Sequence, residues 1–97
     1  MMKTLLIVYS GSDPRIIERE LDLHHVGGYT ELGRAHGTGT SGRREGTRAW
    51  PGESTVFLSV VPDERVDALT VALVAARGAL APGERLHVAV LPTDTFL

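Results

Sequence analysis

Ninety-seven residues suit one domain, 1–97, and 42% apolar with 23% charged residues is an ordinary globular composition. The chain has no cysteine, which excludes disulfides, thiolate metal sites and a cysteine nucleophile and fits a reducing cytoplasm. The net charge of −2 is unevenly spread: Arg34 to Arg48 carries four arginines and one acid, a net +3, against six basic and eleven acidic residues elsewhere, a net −5.

The first apolar run, Leu5 to Tyr9, is too short to span a membrane and has no cleavage pattern after it. Lys3 to Tyr9 lacks alternation and is expected to be a strand buried on both faces. Ser10-Gly11-Ser12 is a turn, and Asp13-Pro14 reads as an N-cap followed by proline at the first helical position. A helix then runs to Leu23 or His24 with Ile17, Leu21 and His24 inward, and Gly27-Gly28 stops it. Tyr29 to Leu32 reads as a second strand.

Gly33 to Glu53 is rich in Gly, Thr, Ser and Arg and shows neither a strand nor a helix period, so it reads as a long flexible loop. Within it, GTGTSG (Gly37 to Gly42) fits the G-x-G-x-x-G pattern of dinucleotide sites. No helix follows it, and no acidic residue stands at the next strand end, so a dinucleotide fold is not expected. No Lys-Ser/Thr pair follows the last glycine, so it is not a Walker A loop either. Two readings stay open. The glycines and serine make a plain flexible loop, or Gly37, Gly39 and Gly42 let backbone N–H groups approach an anion that Arg43, Arg44 and Arg48 neutralise. Trp50, before Pro51-Gly52, is placed to pin the returning loop or to touch a base.

Ser54 to Val61 is a strand with apolar residues on both faces, Val56, Leu58 and Val60 on one and Phe57 and Val61 on the other. Pro62-Asp63-Glu64 opens a second helix, with Val66, Leu69, Leu73, Ala76 and Leu80 on one side, making it amphipathic, and Gly78 near its end. Ala81-Pro82-Gly83 is a turn. Arg85 to Leu91 is the last strand, and Pro92 is expected to end it. The order β-α-β-β-α-β is the ferredoxin-like split unit, an α+β fold with two helices on one face of a four-stranded antiparallel sheet. Its other face, bare and apolar, implies self-association.

Four stretches resemble the PII-like signalling proteins: Gly28-Tyr29-Thr30-Glu31 at the second strand, the Gly- and Arg-rich segment Gly37 to Gly46 at the place of the family's T-loop base, Val60-Val61-Pro62-Asp63-Glu64 joining strand to helix, and Pro82-Gly83-Glu84-Arg85-Leu86 before the last strand. The resemblance implies a cytoplasmic homotrimer that is not an enzyme. It implies an adenine nucleotide or related anion between subunits, held by the Gly-rich segment of one copy and Gly83 and Arg85 of the next. A T-loop, here 33–53, would carry the ligand state to a protein target such as a transporter or an enzyme. Neither nucleic-acid binding nor membrane insertion is expected. The loop has no tyrosine, unlike the members modified there, and Arg85 stands near the place of the turn lysine. The alternative is a metal-tolerance trimer of the same fold, resembling the CutA-like proteins. No metal site is assigned; His87 would hold one only if its face lined a threefold axis. His24-His25 is too closely spaced for both rings to face one site from a helix.

Overall fold

The computed structural model describes residues 1–24, 26–39, 42–44 and 53–97. Five strands and two helices follow in the order β1 (Met2–Ser10), α1 (Arg15–Leu23), β2 (Thr30–Gly39), β3 (Gly42–Arg44), β4 (Glu53–Pro62), α2 (Asp63–Gly78) and β5 (Arg85–Thr93). The sheet order is β3-β2-β4-β1-β5, with antiparallel neighbours throughout. The four long strands and both helices make the expected ferredoxin-like βαββαβ arrangement, and β3 is a three-residue addition at its margin.

Alternation along the strands divides the side chains between two faces. Leu5, Ile7 and Tyr9 of β1 lie beside Phe57 and Val61 of β4 and Leu86 of β5, all fully buried under the helices. Ile17 and Leu21 of α1 and Leu69 and Leu73 of α2 close this core, with Val66, Ala76 and Leu80 packed at its edge. Tyr29 meets Phe57 in a tilted ring pair, centroids 5.9 Å apart. Val26 covers the end of the core where α1 leaves it.

Local chemistry sets the ends of the elements. The Asp13 carboxylate accepts the Arg15 backbone N–H at 3.2 Å, and Pro14 is already helical at φ −63°, so the Asp-Pro pair starts α1 as its residue types dictate. The acids Asp63 and Glu64 stand at the positive end of α2 and Arg77 at its negative end. Ala81 to Glu84 forms a type II turn: Pro82 precedes Gly83 at φ +87°, and the Glu84 N–H donates to the Ala81 carbonyl at 3.0 Å.

Three sequence expectations change. First, β2 does not stop at Leu32. It continues through seven residues of the segment read as a loop, past a bulge between Leu32 and Ala35, and folds back onto β3. Second, Pro92 does not end β5, which runs to Thr93. β5 is an edge strand, where the lost donor of a proline costs no ladder bond on the free side. Third, α2 is only partly polar on its outer side. Val71 and Val74 are exposed there beside Asp67 and Arg77, so its apolar face toward the core is as read but its amphipathicity is weak.

Candidate functional site

Because β2 runs parallel to β1, the ends of β1 and β2 and the starts of β4 and β5 all lie at one end of the sheet. The Gly-rich pattern is found there as a strand-to-strand hairpin. Gly37 pairs with Arg44, Thr38 with Arg43 and Gly39 with Gly42. This is not the strand-to-helix turn that a dinucleotide site needs, which agrees with the reading of the sequence. Gly37 has open space where a Cβ would stand. The side chains of Arg43 and Arg44 lie outside the described part of the structure, as do Arg48 and Trp50 entirely.

The other predicted turn is at the same end. Gly83 sits in the type II turn, and Arg85 begins β5 opposite Ser10. Glu84 holds this turn to the one after β1: its carboxylate accepts from the Ser12 N–H at 3.0 Å, the Ser12 hydroxyl at 3.2 Å and the Ala81 N–H at 3.2 Å. Tyr9 is packed beneath. Its hydroxyl accepts the Asp13 N–H at 3.0 Å, and burial, with smaller contributions from the Glu84 and Asp13 charges, pushes its pKa up against that bond. Gly11 is the residue that permits this closeness, since a Cβ there would stand 2.5 Å from the Tyr9 ring and 2.9 Å from the Glu84 carboxyl carbon. Neither Glu84 nor Gly11 is marked by any spacing in the sequence.

Within one chain the two predicted parts do not meet. β4 and β1 separate β2 from β5, so the hairpin and the Gly83–Arg85 turn are about 14 Å apart across three strand spacings. A site that uses both within one copy spans that distance.

A cleft missed by the sequence reading lies at the opposite end. β2 joins β4 only from Thr30↔Leu58 onward, leaving the β4 edge open beyond Leu58. The α1–β2 connection leans over that gap, tied by the Ser59 hydroxyl to the Gly28 carbonyl at 2.7 Å. The resulting cavity is about 530 Å³ and is lined by Gly28, Tyr29, Thr30, Leu58, Val60 and Phe96 among others. None of its lining side chains is charged. Its size and lining suit the uncharged part of a small molecule. It stands about 30 Å from the hairpin along β2.

The face of the sheet away from the helices is apolar and unpaired. Leu32 and Leu58 are exposed on it beside Leu6, Val8, Val56 and Val60, with Leu91 and Ala89 on β5. His87 lies on the same face opposite Val8, exposed. Among the described residues no group of three or more His, Cys, Asp or Glu is placed to hold a metal ion, and no helix is long and apolar enough to cross a membrane.

An acidic pair links α1 to β2. A hydrogen bond with Glu18, then desolvation and the Glu18 charge, raises the Glu31 pKa. Tyr29 is raised as well, by desolvation and by Asp22, Glu18 and Glu31. Asp13 is shifted the other way, held below its ordinary range by its hydrogen bond with Arg15, whose Nε lies 2.8 Å away.

No family model and no curated protein matches the chain. Solved structures do. One is CPII, a nitrogen regulatory PII-like protein from Thiomonas intermedia K12, bound to ADP, AMP and bicarbonate. It is 25% identical with a TM-score of 0.68, over 93% of this chain and 85% of that one. The same CPII bound to ADP and bicarbonate aligns at 24% identity and a TM-score of 0.70, over 93% and 85% of the two chains. A DUF3240 family protein from Shewanella baltica OS155 aligns at 18% identity and a TM-score of 0.68, over 97% and 92%.

Proposed function

We propose that this chain is a divergent PII-like protein, a trimeric, non-enzymatic regulator that senses an adenine nucleotide or related small anion between its subunits. The observation that carries this reading is the likeness, over 93% of the chain, to CPII in structures bound to ADP and bicarbonate. Two features support it. The Gly-rich hairpin and the Gly83–Arg85 turn share one end of the sheet, three strand spacings apart. The open apolar face supplies the surface on which copies associate.

In the assembled protein, Gly37, Gly39, Gly42 and the arginines Arg43, Arg44 and Arg48, with Gly83 and Arg85 of a neighbouring copy, take the phosphates or a bicarbonate-like anion. Arginine suits these groups because its planar fork bonds two oxygens at once. The shape of the 33–53 segment in the loaded state is what a protein target, a transporter or an enzyme, reads. The site lies in the cytoplasm, where adenine nucleotides are available.

Titration calorimetry with ADP, ATP, AMP and bicarbonate, then with zinc and copper ions, tests the reading. Saturable nucleotide binding supports it. Metal binding without nucleotide binding replaces it with a metal-binding trimer, in which His87 is the residue to change first.

A further inference from the structure

The hydroxyls on the open face of the sheet are already satisfied within the chain. Thr4 of β1 bonds Thr93 of β5 side chain to side chain, and Ser10 of β1 bonds Ser54 of β4 at 2.6 Å. Alternation puts all four on the side away from the helices, and neither β1 nor β4 places a charged residue there. A polar group is costly to bury only when it is left unpaired. A partner that excludes water from this face therefore strips it of no hydrogen bond. Contacts between identical chains are the apolar, charge-poor kind of interface. The occupant that fits is a second copy of this chain, not a charged or strongly polar partner.

The chain itself returns to this face after β5. It bends at Asp94, and Phe96 comes to line the uncharged cleft together with Leu58 and Val60, two residues of the open face. β1 stands between β5 and β4, so the segment crosses it. The crossing is two strand spacings, about 10 Å, which is what the three steps from Thr93 to Phe96 can span. Among the described residues, no hydrogen bond or ion pair holds Asp94 to Leu97. Phe96 remains 64% exposed, beside the exposed Leu58. Most of its ring is thus free to meet another surface. An aromatic ring at the centre of an apolar patch is the kind of side chain that dominates association.

We propose that Phe96 anchors the association of copies: the segment after β5 carries its ring onto the open face, and a neighbouring copy buries it there. This rests on the association proposed above and names the side chain that drives it.

Sedimentation of the full chain over a dilution series tests it, with wild type, Phe96→Leu and Phe96→Ala side by side. The dissociation constant of the assembly is expected to rise at least about tenfold in Phe96→Ala and less in Phe96→Leu, which keeps an apolar side chain. At dilutions where each chain is single, the urea midpoint of Phe96→Ala is expected to equal that of wild type, because a mostly solvated ring adds little to the fold. A lower midpoint there makes Phe96 a residue of the single-chain fold and overturns the proposal. Wild type that assembles while Phe96→Ala assembles as tightly or more tightly overturns the anchor and leaves the association standing. Wild type that stays single at every concentration removes the association itself, and the anchor with it.

Discussion

Gly11 shows how a single residue holds one end of the sheet together. The Tyr9 hydroxyl and ring and the Glu84 carboxyl all crowd the space where its side chain would be, and both are fixed by hydrogen bonds to the turn that Gly11 opens. Gly11→Ala is therefore expected to destabilise the fold by about 1–3 kcal/mol, as overpacking does, seen as a lower urea midpoint with an unchanged slope. The Glu18–Glu31 pair makes a second prediction. Its raised carboxyl favours the protonated form in the folded state, so its contribution is complete below pH 4.5, the ordinary value, and is lost as pH rises through the raised one. Asp13 has the opposite sign: its contribution is present above 3.8 and lost as pH falls. Above pH 4.5 Asp13 is ionised in both states, and Glu31→Gln should flatten the fall of the urea midpoint as pH rises through the raised value. A variant with the wild-type slope would show that the pair is not coupled to folding. Residues such as Ile17 and Leu21 were legible in the sequence because helical spacing puts them on one face. The packing roles of Gly11 and Glu84 were not, because they arise from contacts between turns distant in the chain.

Among the elements, the strands with a strong apolar signal were legible and the hairpin was not. β4 was read within a residue at each end because its two faces are both apolar. The outer half of β2, Gly33 to Gly39, has no such pattern; it is a strand because β4 and β3 pair with it, a tertiary cause that local sequence does not carry. The same contrast separates stability from binding. Phe57 of β4 is fully buried beside Ile7 of β1 and Tyr29, so Phe57→Ala is expected to cost about 3–5 kcal/mol in denaturant unfolding. None of the described core comes from β3. Arg43→Ala with Arg44→Ala should therefore leave the thermal midpoint nearly unchanged while weakening nucleotide binding at least about tenfold, the equivalent of about 1.4 kcal/mol. A double variant that unfolds, or that binds as wild type does, removes the hairpin from the site.

At the scale of the whole molecule, the open sheet face is the feature the fold leaves unfinished. That face was foreseen from strands apolar on both sides, and the structure places Leu32, Leu58, Leu6, Val8, Val56 and Val60 on it. The uncharged cleft was not foreseen, because it is formed by the gap where β2 parts from β4 rather than by any motif. Leu58 stands at the centre of the face and at the edge of the cleft. Leu58→Asp is expected to leave a folded single chain of 10.4 kDa in place of an assembly three times that mass, read by light scattering with the circular dichroism spectrum retained. If the wild-type chain is itself a monomer, a site shared between copies has no basis.

The account stands most directly on one titration, ADP into the wild-type assembly by calorimetry at micromolar protein. It predicts saturable binding of one ADP per chain, accompanied by a change in amide exchange at Gly37 to Gly39 and Gly42 to Arg44. An assembled protein that takes up no ADP at millimolar concentration contradicts it.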